Sequence, residues 1–452
     1  MEVKDILELE ISDMSADGSG IGHYEGAAVF VGNCLPGDRV RAKVYKKLKN
    51  RVLASCLEIL SPSADRCSPD CPVSCDCGGC TLREYSYGAQ LELKKNIVRA
   101  AFRRIGGFDV EVADTLPSPE TDHYRNKAQF PVGLRDGKIV CGFYKKRSHE
   151  VVPYTACHLQ PPVFTEILEY ILAELNRSQK VRVYDESVHK GELRHIFIRQ
   201  GYHSKEIMVA FVVRKDIGEK LSELCRGLCE KFPDIKSIVQ NINPDKTNVI
   251  LGRKNLSLWG KDTISDTLCG LRFDLSPLSF YQVNTAQAER LYSVSADFAD
   301  LDNCSVLLDF YCGAGTIGLS MADRVDRLIG VEIIPEAVEN ARAAAAANNI
   351  KNAEFICSDA GKAADELLKK GIRPEVISID PPRKGCDELM LRSLVRLSPK
   401  RISMISCNPA TAARDCAFLA ERGYRLEKIV PVDMFPHTMH VECVVLMSRV
   451  KD

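Results

Sequence analysis

Apolar positions near the start of the chain alternate with polar ones in short runs. Val29–Val31, Val40–Val44 and Leu53–Leu57 are such runs, and glycines and a Pro-Gly pair separate them. Alternation over a few residues with turn residues between the runs predicts β-strands. Strands this short at regular spacing predict an OB-like β-barrel over residues 1–60, a fold that often binds nucleic acid.

The second half of the chain has a different hydrophobic pattern, in which wholly apolar runs alternate with helical segments. The runs are Val306–Leu308, Leu328–Val331, Val376–Ile379 and Ile402–Ile405. This order predicts an α/β domain at residues 266–452, a doubly wound parallel sheet with helices on both faces.

The residues between these two regions show a mixed pattern, which predicts an α+β domain over residues 61–265. Within it, Tyr87–Gly107 has apolar residues at helical spacing and ends on two glycines. We expect this helix to pack on the C-terminal domain.

Composition narrows the class of protein. The chain has 452 residues and no net charge, so no global field attracts an anionic partner. No apolar run approaches ~18 residues, so we expect no membrane span. Many of the cysteines stand singly in apolar runs, which favours a reducing cytoplasm. Cations are nevertheless concentrated in the barrel, where they indicate either a solvated face or a nucleic-acid contact: Arg39, Arg41, Lys43, Lys46, Lys47, Lys49 and Arg51.

A glycine turn, Gly313-Ala314-Gly315, follows the strand Val306–Asp309. Glycines there let a ligand approach the backbone closely, although a lone GxG is weak evidence. Acidic residues end the next three strands: Glu332, Asp359 and Asp380. Glu332 can hold ribose hydroxyls or simply cap a helix, and Asp359 can face an adenine. Such strand-end acids resemble those of class I S-adenosylmethionine methyltransferases.

Cys407 lies in the polar segment Ser406-Cys407-Asn408-Pro409 after an apolar strand, at the same sheet edge as Asp380. A buried inert cysteine is the alternative. A nucleophile beside a methyl donor would activate a poorly nucleophilic carbon such as uracil C5. The reaction then needs a base, for which Glu442 is the candidate, with His437 and His440 as alternatives.

The whole motif set resembles the RNA uracil-C5 methyltransferase family. Gly18–Gly22 and Leu35–Asp38 resemble its TRAM barrel, and Phe280–Asn284 resembles the motif that opens its catalytic domain. The resemblance implies that Cys407 is the nucleophile and Glu442 the proton-abstracting base. It also implies an S-adenosylmethionine pocket lined by Gln282, Tyr311, Thr316, Glu332, Asp359 and Asp380. Thr316 stands where some relatives carry Asn.

Five cysteines lie within residues 67–80. Four thiolates hold either an iron–sulfur cluster or zinc. The branch of the family that modifies ribosomal RNA binds a [4Fe–4S] cluster through C-x5-C-G-G-C and one distant cysteine. By this resemblance the ligands are Cys71, Cys77, Cys80 and Cys157. Cys67 and Cys75 are extra, and zinc or free thiols remain the alternative.

The expected activity is methyl transfer to C5 of a uridine in structured RNA, by a monomer. The barrel and the cysteines favour 23S rRNA, and the T-loop of tRNA is the alternative. Methylation of a base or protein nitrogen, or an RNA-binding module with an inactive domain, are further alternatives. His123–Lys127 and Leu193–Arg199 mix cations with rings, so we expect them to form the RNA-recognition surface.

Overall fold

In the part of the chain that the structure describes, the β-strands form a closed barrel, two seven-stranded sheets and one hairpin. The computed structural model describes residues 2–146, 148–302 and 304–450. Across these ranges, no helix combines the length and the apolar character needed to cross a bilayer. The strands are β1 (Ile6–Met14), β2 (Gly20–Tyr24), β3 (Ala27–Gly32), β4 (Arg39–Leu48), β5 (Arg51–Ser61), β6 (Lys127–Arg135), β7 (Lys138–Tyr144), β8 (Val151–Pro153), β9 (Leu193–Gln200), β10 (Ile207–Val213), β11 (Ile235–Ile242), β12 (Lys254–Gly260), β13 (Ile264–Leu268), β14 (Leu271–Leu275), β15 (Cys304–Phe310), β16 (Val325–Glu332), β17 (Ala353–Cys357), β18 (Val376–Ile379), β19 (Arg401–Ser406), β20 (Tyr424–Val432) and β21 (Glu442–Arg449). The α-helices are α1 (Tyr87–Arg104), α2 (Pro162–Ser178), α3 (Gly218–Lys231), α4 (Thr285–Ala299), α5 (Thr316–Leu319), α6 (Pro335–Ala347), α7 (Ala360–Lys369), α8 (Glu388–Leu397) and α9 (Pro409–Ala420).

The N-terminal strands close in the order β1-β2-β3-β5-β4, which confirms the predicted barrel. Alternate side chains of β1 (Leu7, Leu9 and Ile11) point into a small apolar core and meet Val40 and Val44 of β4 there. The polar residues between them face outward, as a strand with one buried face requires.

The C-terminal sheet has the order β17-β16-β15-β18-β19-β21-β20. Strands β15 to β19 are parallel, which confirms the predicted doubly wound sheet. The last strand in sequence, β21, enters antiparallel between β19 and β20. This insertion, which the apolar pattern did not reveal, brings the end of the chain beside β19.

The central sheet is mixed and carries α2 and α3 on one face, over a core that includes Phe164 and Leu221. Its opposite face turns toward the C-terminal domain. Phe197 and Met208 on that face share a buried apolar cluster with Tyr281 and Leu291. The two domains therefore have one continuous core.

Helix α1 ends at Arg104, just before the Gly-Gly pair. Ser86 caps its start by accepting a hydrogen bond from the Ala89 amide at 3.3 Å. Val98 and Phe102 are buried in the core of the C-terminal domain, and Leu93 packs in a cluster with residues of the barrel. The helix thus joins the barrel to the C-terminal domain.

Replacing Phe102 by alanine tests this junction. Because Phe102 is 1% exposed, its truncation should leave a cavity and cost about 3–5 kcal/mol of unfolding free energy, measured by urea denaturation. Ile105, one residue past the helix, is 52% exposed, so Ile105→Ala should change the midpoint little. Equal effects of the two substitutions would contradict the burial of this helix face.

Candidate active site

The order of the C-terminal sheet reverses direction at β15, which pairs with β16 on one side and β18 on the other. Ligands of open α/β sheets bind beyond the carboxyl ends of the strands at such a point. The glycine turn follows β15 there, with φ of +54° at Gly313 and +79° at Gly315. A Cβ on Gly315 would also lie 3.1 Å from the Phe355 ring and 3.2 Å from the Ala341 methyl. Only glycine fits this turn.

Glu332 ends β16 and lies against the glycine turn, as the sequence predicted for the strand end. Its carboxylate accepts hydrogen bonds from the amides of Gly313 at 3.1 Å, Ile333 at 2.8 Å and Ile334 at 2.9 Å. These bonds fix the carboxylate at the carboxyl end of the sheet, where a ribose would be bound. Asp359 follows β17 and caps α7 by accepting from the Lys362 amide at 3.2 Å.

Tyr292 of α4 links two of the predicted cofactor residues, although no motif in the sequence points to it. Its buried hydroxyl lies 3.0 Å from Thr316 Oγ1 and also bonds the Gln282 side chain. Tyr311 lies at the same sheet edge, in a left-handed conformation with φ of +60°. Burial, with the nearby Cys386 and Asp387, raises the pKa of the Tyr311 phenol.

Two carboxylates lie near the carboxyl ends of β15 and β18, where Asp309 is fully buried and Asp380 is half-buried. Burial raises the pKa of Asp380 to about 7, and burial together with Asp380 raises the pKa of Asp309 to about 7. One oxygen of Asp309 accepts the Gly318 amide at 3.0 Å. A cationic ligand would stabilise the charged forms of both acids. The crevice is therefore suited to a sulfonium cofactor. Asp309 was not among the cofactor residues predicted from the sequence, and its burial beside Asp380 adds it to them.

The pairing of β19 with β21 brings Cys407 and Glu442 together. Ser406 is the Cα partner of Cys443, and one further step along this antiparallel register sets Cys407 opposite Glu442. Opposed residues of a pair project from the same face of a sheet, with Cβ atoms ~5 Å apart. The candidate nucleophile and the candidate base are thus neighbours at the edge that holds Asp380.

The charges around this pair are unequal. Burial, then Glu442 and Asp380, raise the pKa of the Cys407 thiol, while Arg383 lowers it. Burial and Asp380 raise the pKa of Glu442 to about 8, and Arg383 again opposes the shift. The Asn408 amide donates to the Arg383 carbonyl at 2.9 Å and so ties the Asp-Pro-Pro-Arg segment to the Cys407 segment.

The two alternative bases lie in different surroundings. His437 is buried against Gln90, whose Nε2 is 3.2 Å from its Nδ1, and burial lowers its pKa to about 4. His440 Nδ1 is 3.5 Å from an Arg383 nitrogen, and burial and Arg383 lower the pKa of this imidazole. Of the three candidates, Glu442 is the one set opposite Cys407 by strand register.

The four predicted metal ligands are neighbours, but their thiols are not arranged around a common centre. Burial raises the pKa of Cys80 to about 12, with contributions from Cys157 and Cys77. Burial and the Cys77 and Cys71 thiols similarly raise the pKa of Cys157 to about 11. Within residues 2–146, 148–302 and 304–450, no three His, Cys, Asp or Glu side chains lie at metal-binding spacing. Four thiols are suitable ligands for a metal ion or an iron–sulfur cluster. In this structure, however, they are too far apart to bind one metal centre together.

The remaining two cysteines of this segment are more exposed than the four predicted ligands. Cys67 is exposed, with its thiol 3.9 Å from the Asp65 carbonyl, and Cys75 is exposed as well.

Two arginines of the predicted RNA surface have structural roles instead. The Arg199 guanidinium, 1% exposed, donates to the carbonyls of Ser276 at 2.6 Å and Ser279 at 2.8 Å. Arg194 is buried and donates to backbone carbonyls of residues 243–247. The expectation that β9 contacts RNA was wrong for these two side chains, because each satisfies buried carbonyls. Arg125 and Lys127 of the other segment are half-exposed.

A doubly wound sheet with a glycine turn after β15, strand-end acids and the buried carboxylate of Asp309 defines an S-adenosylmethionine-dependent methyltransferase domain. The model of the tRNA (Uracil-5-)-methyltransferase family matches residues 86–450, and the chain belongs to this family. It is accordingly an S-adenosylmethionine-dependent RNA methyltransferase that acts on uracil C5. The alternatives of an inactive domain and of nitrogen methylation are set aside.

Relatives and one solved structure match over nearly the whole chain. An RNA methyltransferase of Clostridium tetani is 40% identical over 98% of this chain and 96% of that protein. One from Listeria monocytogenes is 42% identical over 98% and 97%, respectively. The Pyrococcus abyssi tRNA (uracil-54, C5)-methyltransferase, solved with S-adenosyl-L-homocysteine, is 28% identical. Its TM-score is 0.77, and the match covers 98% of this chain and all of that one.

The pH dependence of turnover follows from the two raised pKa values. If Cys407 reacts as thiolate and Glu442 as carboxylate, as the sequence predicts, kcat/KM should rise as the pH passes about 8, the pKa of Glu442. It should go on rising above that pH as the Cys407 thiol ionises. Arg383→Gln removes the cation that lowers both pKa values and should move the profile by about one unit to higher pH. Lys384→Gln, in the same exposed loop, serves as the control and should leave the profile in place. A shift of the Arg383 variant to lower pH would contradict this electrostatic arrangement.

Proposed function

We propose that the protein methylates C5 of a uridine in 23S rRNA through a covalent adduct with Cys407. The observation that carries this proposal is the β19–β21 register, which supports a nucleophile and a base facing each other beside the cofactor crevice. S-adenosylmethionine would supply the electrophilic methyl group. The residues that would bind this cofactor are Gln282, Tyr311, Thr316, Glu332, Asp359 and Asp380.

The reaction uses both members of the pair. Uracil C5 is a poor nucleophile until the Cys407 thiolate adds to C6, which makes C5 an enolate-like carbon. Once C5 carries the methyl group, Glu442 removes the C5 proton. The C6–S bond then breaks, and its electron pair returns to Cys407 as the C5–C6 double bond forms again. The high pKa of Glu442 suits a group that must accept this proton.

The target uridine must leave its stack to reach Cys407. A cleft of about 1530 Å³ between the barrel and β7–β8 supports a path for the rest of the RNA. Phe30 and Tyr45 line it with Arg51 and Lys146, so it offers rings for stacking and cations for phosphates. Arg51 lies over the Phe30 ring at 5.7 Å. Arg39 and Arg41 instead pair with acids of the barrel and are weaker candidates.

Transfer RNA is the second candidate substrate. The Pyrococcus abyssi enzyme acts on tRNA uracil-54 and matches almost all of this chain, barrel included. The barrel therefore does not separate the two substrates, and the preference for 23S rRNA rests on the cysteine segment.

The cysteine segment is proposed to bind a [4Fe–4S] cluster through Cys71, Cys77, Cys80 and Cys157, with zinc as the alternative. The proximity of these thiols to one another supports a shared site. To bind one metal centre, the segment of residues 71–80 would have to bring its thiols closer to Cys157. The reaction above requires no electron transfer, so this site would be structural.

The covalent step predicts that the protein forms an adduct with RNA containing 5-fluorouridine. Fluorine at C5 cannot leave as a proton does, so the Cys407–C6 bond should persist through denaturing electrophoresis. Cys407→Ala should abolish both adduct and turnover, while calorimetry should show cofactor affinity unchanged. Absence of an adduct with the wild-type protein and cofactor would refute the covalent route.

The metal proposal predicts brown protein after anaerobic purification, with iron and sulfide each near ~4 per chain. Cys71→Ser should lose the iron, whereas Cys67→Ser should keep it, because Cys67 is exposed and is not one of the four predicted ligands. Zinc without iron in protein prepared this way would show the cluster assignment to be wrong.

A further inference from the structure

Glu442 is reached through a loop of residues 433–441, which joins β20 to β21 and is called the base loop. Val432 and Glu442 are Cα partners, so the loop leaves and returns at one point of the sheet. Its position therefore decides how Glu442 faces Cys407. The contacts that hold it come largely from outside the C-terminal domain.

The first contact is a buried ion pair. The side chains of Lys94 in α1 and Asp433 at the start of the loop are both 0% exposed, and Nζ is 2.5 Å from Oδ1. Lys94 also donates to the Phe435 carbonyl at 3.1 Å. Removing two charges from water costs several kcal/mol per ion and is offset only in a well-formed geometry. This pair fixes the start of the loop relative to α1.

The second contact is made by Gln90, one helical turn before Lys94 and on the same face of α1. Its Oε1 accepts the His437 amide at 2.9 Å. Its Nε2 donates to the carbonyls of Leu82 at 3.0 Å and Tyr85 at 2.7 Å. One side-chain amide therefore joins the middle of the base loop to the chain that leads into α1.

Further bonds close around the same loop. The amides of Thr81 and Leu82 both donate to the His437 carbonyl at 3.0 Å. The Tyr124 hydroxyl donates to the Pro436 carbonyl at 3.1 Å, and the Asn284 amide donates to the Met434 carbonyl at 3.1 Å. The base loop is thus held by hydrogen bonds along most of its length. Among the described residues, its buried ion pair is the one between Lys94 and Asp433.

We propose that Lys94 and Gln90 are positioning residues for methyl transfer, which hold the base loop so that Glu442 can take the C5 proton. Neither side chain touches the reacting atoms, and both act through the loop. The inference rests on the proposed function, because it assumes Glu442 as base. A misplacement of about 1 Å at a reacting group lowers a rate by about 100-fold.

The test compares Lys94→Met and Gln90→Met with Lys95→Met. Lys95 is the next residue in α1, but it pairs with Asp114, whose side chain is 94% exposed. Lys95→Met therefore removes a lysine from the same helix without removing a contact to the base loop. The substrate is total RNA from cells that lack the gene. We expect kcat to fall about 100-fold in the first two variants, with KM for RNA and cofactor affinity unchanged, and no fall in the control.

A second readout identifies the step that is slowed. If Glu442 is misplaced, the proton stays on C5, and a covalent protein–RNA adduct should accumulate on unmodified RNA. A merely destabilised protein would not accumulate it. Slow turnover without this adduct, or an equal effect of Lys95→Met, would overturn the proposal.

The double variant Lys94→Met/Asp433→Leu separates stability from positioning. Lys94→Met alone leaves a buried unpaired carboxylate, which the second substitution removes, so Tm should return toward the wild-type value. Turnover should stay low because the loop anchor is still missing. Recovery of turnover together with Tm would overturn the proposal. Failure of the wild-type protein to form the 5-fluorouridine adduct would instead refute the reaction itself.

Discussion

The antiparallel register between β19 and β21 is the constraint on which the site depends. Neither residue of the proposed catalytic pair lies in the interior of a strand, since Cys407 follows β19 and Glu442 begins β21. The register Ser406–Cys443 nevertheless makes them opposed residues. A one-residue slip would turn one of the two side chains to the other face of the sheet. Strands β18, β19 and β21 are buried along nearly all of their length, and burial of this kind specifies the register.

Burial then sets the chemistry of the pair. The crevice removes water from the carboxylates and the thiol, so the pKa values of Asp380, Glu442 and Cys407 all rise. Arg383 is the cation that opposes this shift at both members of the pair. A cationic ligand in this crevice would stabilise the charged forms of these groups.

The sequence revealed the parallel sheet, the glycine turn and the strand-end acids, because each follows from a local pattern of apolar runs and turn residues. It missed β1, although Ile6–Met14 alternates, and it did not show that β21 inserts antiparallel beside β19. Strand order is a property of long-range packing, which local periodicity does not encode.

Side-chain environment was harder to predict than position. Arg199 looked like an RNA contact in its sequence, yet it is buried against backbone carbonyls. The partner of Lys94, Asp433, lies 339 residues away in the chain, so no local pattern relates the two. Asp309 ends the predicted strand Val306–Asp309, and its burial, not its sequence position, indicates a role in the cofactor crevice. In each case the signal is burial, which one sequence does not contain.

The most direct measurement is a map of 5-methyluridine in total RNA from cells that lack the gene, complemented with wild-type protein, Cys407→Ala or Glu442→Gln. We expect deletion to remove the modification from ribosomal RNA and only the wild-type gene to restore it. Loss of 5-methyluridine from tRNA alone would show that tRNA is the substrate, while the proposed reaction would still hold. Restoration by Cys407→Ala would contradict the central claim that the opposed thiol and carboxylate carry out the reaction.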